Sequence, residues 1–186
     1  RFADAALQAA MRIALKERDL NETGLFAIAL GKMGAFELNY SSDIDFAVFF
    51  DRDRFEGGDR EPADAAVRVI RRAIRLLNDR TRDGYVFRTD LRLRPDPSST
   101  PLAVSTRRAA LYYESVGQNW ERMVWIKARC SAGDTEASAQ FLAELEPFIW
   151  RRHLDYWAIA DVYAVKRMIN SKSSEQAFND VASNVK

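Results

Sequence analysis

Two residue types that often carry chemistry are nearly missing from this chain of 186 residues: it has one cysteine, Cys130, and one histidine, His153. A single cysteine rules out an intramolecular disulfide and suits a reducing compartment. One His and one Cys are too few ligands for a zinc site of the usual type. Cys130 is also a poor nucleophile, because His153 lies far along the chain in a presumed helix. Neither charge sign dominates: 28 Lys and Arg against 27 Asp and Glu leave a net charge of +1, so no global field favours a nucleic acid. Long apolar runs are absent. The longest, Leu25 to Leu30, is far too short to span a bilayer. The first twenty residues include Arg12, Lys16, Glu17, Arg18 and Asp19 and lack the apolar core of a signal peptide. The expectation is a cytoplasmic protein with neither nucleic acid nor membrane as partner.

What is present concentrates between Leu25 and Phe50, LFAIALGKMGAFELNYSSDIDFAVFF. An apolar strand enters a turn in which Gly31 and Gly34 flank Lys32, and a second strand carries Asp43 and Asp45. Alternate strand residues share a face, so the two carboxylates project together, about 7 Å apart along the backbone. Ile44, Phe46, Val48 and Phe50 point the other way, toward a core. Two acids on one open face, after Ser41 and Ser42 and a glycine turn able to approach phosphate, suit a divalent-metal phosphoryl or nucleotidyl transfer site. The plainer alternative is a solvated strand edge.

A third acid stands in Tyr85 to Arg94, YVFRTDLRLR, which reads as another strand. There Leu91 and Leu93 share one face, and Arg88, Asp90, Arg92 and Arg94 share the other. Asp90 completes a candidate metal-binding set of Asp43, Asp45 and Asp90, while the guanidiniums match phosphate oxygens bidentately. A salt-bridge ladder on an exposed sheet face is the alternative. Oxygen-only ligands imply a hard ion, Mg²⁺ or Mn²⁺. The three carboxylates should converge at the mouth of a groove between the sheet and the later helical lobe, with splaying or a raised pKa in one acid from mutual repulsion.

The remaining text places these strands in an α+β fold. Ala3 to Asp19 reads as a helix with Ala6, Ala9, Ala10, Ile13 and Ala14 on its apolar face. After the polar loop Asp51 to Arg60, Pro62 opens a second helix whose apolar face is Ala66, Val69, Ile70, Ala73, Ile74 and Leu77. Pro95, Pro97 and a Ser-Ser-Thr-Pro loop close the third strand. From Thr106 the pattern reads as helix only, in three or four segments to about Met168, and the tail from Asn170 is polar without a period. Residues 1–104 therefore form a small mixed sheet with flanking helices, 105–170 an all-helical lobe, and 171–186 a polar tail.

The helical lobe holds a second cluster, Trp120, Glu121, Arg122, Lys127 and Arg129. Helical spacing puts Trp120, Met123, Val124 and Lys127 on one face, able to stack a base and offset phosphate charge. Core tryptophans with a solvated Lys127 are the alternative. Phe148, Trp150, Tyr156, Trp157 and Tyr163 read as interhelical packing.

The string Leu30-Gly31-Lys32, followed after ten residues by Asp43-Ile44-Asp45-Phe46, resembles the signature of the DNA polymerase beta nucleotidyltransferase superfamily, with Lys32 where Ser or Gly is usual. The longer blocks GKMGAFELNYSSDIDF, DGYVFRTDLRLRP, Pro101-Leu102 and YYESVGQNWERMVWIKARCSAGD closely resemble the glutamine synthetase adenylyltransferases, over about Leu25 to Met168 and in that family's order. The resemblance implies a nucleotidyltransferase core. It makes Asp43, Asp45 and Asp90 the catalytic, metal-binding acids. Gly31, Lys32 and Ser42 would face phosphates, and Lys127 and Arg129 lean toward phosphate contacts.

Enzymes of that family carry two nucleotidyltransferase units joined by a regulatory region. The lead Asn39-Tyr40-Ser41-Ser42 before Asp43 is similar to the amino-terminal unit, which removes AMP from a tyrosine of glutamine synthetase by phosphorolysis and releases ADP. The carboxyl-terminal unit attaches AMP from ATP and typically reads SDLD. The resemblance thus implies glutamine synthetase as protein substrate, ADP, ATP and phosphate as ligands, and the PII signal protein acting through other domains. The chain reads as an excised piece, with a glycine-rich strand of the family expected beyond Lys186. Three other readings stay open: the ATP-dependent adenylylating unit, a non-catalytic nucleotide or signal-protein binding module, and a nucleotidyltransferase acting on an RNA end or an aminoglycoside.

Overall fold

The computed structural model describes residues 1–150, and within them one five-stranded mixed sheet organises the chain. Strand β1 (Leu25–Ala29) is buried at every position and sits at the centre. It pairs antiparallel with β2 (Ile44–Phe50), Leu25 opposite Phe50 and Ala29 opposite Phe46. Two short strands run parallel to β2: β3 (Thr89–Asp90) beside its beginning and β4 (Ala103–Ser105) beside its end. On the far side of β1 lies β5 (Arg129–Gly133), antiparallel, with a register shift between Ala27 and Ile28.

Both faces of the sheet are covered. Ile44, Phe46, Val48 and Phe50 pack with α1 (Phe2–Lys16) and α3 (Pro62–Asn78) in one core. Phe26, Ile28, Ala47 and Phe49 enter a second core under α4 (Thr106–Ser115), α5 (Asn119–Trp125) and α6 (Thr135–Ile149). Phe49 lies 4.7 Å from Phe141 and 5.9 Å from Trp125 between ring centroids. The face of β2 that carries Asp45 is therefore open only at its start, because Ala47 and Phe49 further along it are buried.

Helix α3 matches its sequence pattern: Pro62 stands in the first turn, and Ala66, Val69, Ile70, Ala73 and Leu77 are buried. Helix α1 is rotated from the expected face. It buries Leu7, Met11 and Leu15 together with Ala3, Ala10 and Ala14, and leaves Ile13 exposed. Alanines on several sides left its apolar stripe ambiguous, and the larger Leu and Met side chains, which remove more apolar area from water, decide the rotation.

Two further expectations are corrected. Beyond residue 104 the chain is not helix only, because β5 returns to the sheet and α6 packs on β1. Arg-Cys-Ser-Ala-Gly has little intrinsic strand character; pairing with the open edge of β1 is what makes it a strand. Nor is Tyr85 to Arg94 one strand. Only Thr89 and Asp90 pair, after which the backbone turns, so Leu91 joins the first core and Leu93 the second. The helical reading past residue 150, the tail 171–186, His153, Tyr156, Trp157 and Tyr163 lie outside the described residues.

Candidate active site

The site is built where the β1–β2 connection, the first residues of β2 and β3 meet. After Ala29 the chain enters the single-turn helix α2 (Gly31–Gly34). Gly31 is required there: its φ is +52°, and a Cβ would lie 3.0 Å from Asp45 Oδ2. Gly34 is required for a different reason, since its Cβ would come within 2.4 Å of the Lys127 carbonyl oxygen. The Leu30 amide donates to the Asp45 carbonyl (2.9 Å), which closes the turn against the start of β2. Asp45 thus looks at the turn that carries Lys32, and the Lys32 ammonium lowers its pKa in opposition to the larger raising effects.

Asp45 and Asp90 are register partners across the parallel β2–β3 pair. Their electrostatic states differ. Asp90 accepts from Arg92 Nε at 2.9–3.0 Å, from Arg92 Nη2 and from the Arg92 amide (2.8 Å), and these hydrogen bonds hold its carboxyl below the usual range. Asp45, half-buried, has its pKa pushed up to about 6, first by burial and then by the charges of Asp90 and Asp43. Asp43 lies one residue before β2 and pairs with Arg88, which also donates to the Ser41 carbonyl and to Tyr85 Oη at 3.2 Å.

The three acids are neighbours, yet among the described residues no group of three or more His, Cys, Asp or Glu side chains stands gathered for a metal ion. Two of the three are held by arginines. The all-oxygen donor set still fits a hard divalent cation, and the charge repulsion felt by Asp45 is what such an ion offsets. The depression touching Asp43 and Asp90 is shallow and open. It is walled by Ile74 and Asn78 of α3, by Arg92 and by Leu102, not by the later helices as the sequence led us to expect. Asn78 Nδ2 donates to Thr89 Oγ1 (2.9 Å) and braces β3 against α3.

The other candidates divide. Arg88 and Arg92 lie at the acids as ion-pair partners. Ser42 closes the turn before Asp43, its Oγ accepting from the Asn39 amide at 3.1 Å and its own amide donating to the Asn39 carbonyl at 3.1 Å. Arg94 lines the depression, but its guanidinium is committed to backbone, donating to the carbonyls of Leu91, Pro97, Thr100 and Pro101. The cause is the turn after Asp90 together with Pro95 and Pro97, which fold the loop around Arg94. Lys127 is exposed and pairs with Glu37 at 3.2 Å. Arg129 bonds to the Met33 and Gly34 carbonyls and to Asp4.

In the second cluster Trp125 is buried and Trp120 exposed. Glu121 is buried and accepts from the Gln118 amide (2.8 Å) and from Tyr112 Oη, capping α5. Trp120, Met123, Val124 and Lys127 do not form one ligand face, because α5 ends at Trp125. Phe148 packs on Tyr113, while Trp150 is exposed. Sequence reasoning missed Asp4, the partner of Arg129, because nothing local distinguishes one acid in a first helical turn from another.

A family model for glutamate-ammonia ligase adenylyltransferase matches residues 1–144. A bifunctional glutamine synthetase adenylyltransferase/adenylyl-removing enzyme of Caulobacter vibrioides is 51% identical over 185 residues, covering 92% of this chain. The relatives of the same name from Rhizobium meliloti and Mesorhizobium japonicum are 51% and 56% identical, over 184 and 151 residues, covering 91% and 81% of the chain. The chain spans only about a fifth of the length of these relatives, 19%, 19% and 15% respectively.

Proposed function

Because the chain belongs to the glutamate-ammonia ligase adenylyltransferase family, we propose that it is the unit that removes AMP from a tyrosine of glutamine synthetase by phosphorolysis. A phosphate oxygen forms a bond to the α-phosphorus of the AMP-tyrosine, the bond to the tyrosyl oxygen breaks, and ADP and free tyrosine side chain result. The observation that carries this reading is the half-buried Asp45 set between a second carboxylate, Asp90, and the Gly31–Lys32 turn. Paired carboxylates facing a glycine turn of this kind suit phosphoryl-transfer chemistry. The direction rests on the Asn39-Tyr40-Ser41-Ser42 lead, and the match falls in the amino-terminal part of the relatives.

In this reading Asp43, Asp45 and Asp90 would hold Mg²⁺ or Mn²⁺, which would offset negative charge on the entering phosphate and the leaving phenolate. The protein's own groups do the rest. Lys32, on a turn whose backbone approaches Asp45 closely, binds an anionic oxygen. Arg88 and Arg92 exchange their carboxylate partners for phosphate oxygens when the acids are otherwise engaged, and both guanidiniums suit bidentate contact. Inorganic phosphate is already anionic and tyrosinate is a tolerable leaving group, so no general base is called for.

The test is ADP release from AMP-tyrosyl glutamine synthetase and phosphate in the presence of Mg²⁺. Release of ADP with no label transferred from ATP to unmodified glutamine synthetase supports the proposal. Adenylylation from ATP without phosphorolysis reverses the direction and leaves only the nucleotidyltransferase chemistry.

A further inference from the structure

Arg129, which the sequence offers as a phosphate ligand, is engaged instead with the turn that carries Lys32. From the first position of β5 its Nη2 donates to the Met33 carbonyl (2.9 Å) and its Nε to the Gly34 carbonyl (3.1 Å), both in α2. Its Nη1 lies 3.0 Å from Asp4 Oδ1, and Asp4 Oδ1 also accepts from Ser131 Oγ at 2.6 Å. The guanidinium carbon sits 3.7 Å above the centre of the Phe36 ring, just beyond the turn. Two neighbouring contacts act on the same segment: Gly34 packs against the Lys127 carbonyl, and Lys127 pairs with Glu37.

We propose that Arg129 is a positioning residue that fastens the Gly31–Gly34 turn, and with it Lys32, to β5 and α1, and does not itself touch the transferred phosphate. The planar guanidinium is suited to this, because one group meets two carbonyls, a carboxylate and a ring face at fixed angles; an ammonium has no such fork. Met33 and Gly34 present their carbonyls at the end of a helix of one turn, where the ladder stops; the Met33 carbonyl also accepts from the Phe36 amide (3.2 Å) and takes Arg129 as a second donor. Asp4 keeps the guanidinium from swinging out toward a ligand. The effect on Lys32 rests on the phosphorolysis reading; the fastening of the turn does not.

Two measurements on the 186-residue chain test this. The first is amide hydrogen exchange. The amides of Gly34, Ala35, Phe36 and Glu37 donate to carbonyls of residues 30–33. In Arg129→Met they should exchange roughly tenfold faster or more while amides of α3 are unchanged. Unaltered exchange at 34–37 overturns the proposal. The second is a double-mutant cycle on the phosphate KM for ADP release. If Arg129 acts through Lys32, Lys32→Ala and Arg129→Met each raise KM by about tenfold, and the double variant by little more than Lys32→Ala alone. Additive losses would mean that Arg129 meets phosphate directly and overturn the proposal. Lower thermal stability with unchanged phosphate KM would mean a purely structural role and overturn the link to Lys32. Should Arg129→Met fail to fold, Arg129→Lys retains the charge, loses the fork and carries the same two measurements. Absence of ADP release by the unaltered chain refutes the proposed reaction, and exchange alone then decides whether Arg129 fastens the turn.

Discussion

Asp45 and Asp90 stand side by side as partners in the two-residue parallel ladder of β2 and β3, yet they are held in opposite electrostatic states. Asp90 is stabilised as an anion by Arg92, and Asp45 is pushed up to about 6 by burial and by its acidic neighbours. An asymmetric pair of this kind loses folding free energy when both members ionise.

Stability should therefore depend on pH through Asp45. Between 3.8, its ordinary pKa, and about 6, the folded protein binds a proton that the unfolded chain has released. Its contribution is fully present below about 4 and is lost as pH rises through about 6. Two pH units correspond to about 3 kcal/mol, and partial exposure discounts this to about 1–2 kcal/mol. Asp45→Asn should be more stable than the parent chain at pH 7 by about that amount, with no advantage at pH 4. Urea denaturation at both pH values measures the difference.

The same substitution should abolish activity. With Asp45→Asn or Asp43→Asn, release of ADP from AMP-tyrosyl glutamine synthetase should fall by at least about a hundredfold at saturating Mg²⁺, the scale of losing a group that stabilises transition-state charge. Normal turnover by either variant would remove these acids from the reaction. A protein that gains stability and loses activity together is the signature of a strained functional carboxylate.

Gly34→Ala should destabilise the protein by about 2 kcal/mol through overpacking. The added methyl meets the Lys127 carbonyl oxygen at 2.4 Å and the Ala29 carbonyl oxygen at 2.9 Å, and both belong to backbone that cannot yield cheaply. Thermal denaturation reads the loss. A neutral result would show that the turn and the Lys127 segment are not held together.

Arg94→Met should cost about 2 kcal/mol by leaving the carbonyls of the 91–101 loop without their common donor. Limited proteolysis should then cut between residues 95 and 101 first. Phosphate KM should hardly change, because the guanidinium is occupied with backbone. A large rise in phosphate KM with an intact loop would make Arg94 a phosphate ligand.

Much of the local structure around the candidate site was legible in local patterns. The Gly-Lys-Met-Gly turn between two apolar strands and the spacing of Asp43 and Asp45 each have a mechanical meaning at short range, in φ freedom and in strand alternation. Helix α3 was equally legible, because proline at its start and six apolar residues at helical spacing agree with one another. Where local signals conflicted, sequence failed. The run from Tyr85 to Arg94 alternates as a strand should, but only two residues find a partner before the chain turns, and Leu91 and Leu93 part toward different cores.

By itself, then, the sequence determined the chemical type of the candidate site: carboxylates, a glycine turn and arginines close together in the chain, in a stretch of sequence that holds no cysteine or histidine. Which arginine does what was decided by the folded backbone, locally for Arg92 and Arg94 and by tertiary contact for Arg88 and Arg129. Arg88 meets Asp43 from another segment of the chain, Arg92 turns back on Asp90 two residues before it, Arg94 is wrapped by its own loop, and Arg129 is drawn to carbonyls and to Asp4, which lies 125 residues away. A guanidinium binds carboxylate, phosphate and backbone carbonyl alike. Its role is therefore set by which acceptors the fold brings within reach, and strand β5, which brings Arg129 to its partners, exists only because β1 offered an open edge.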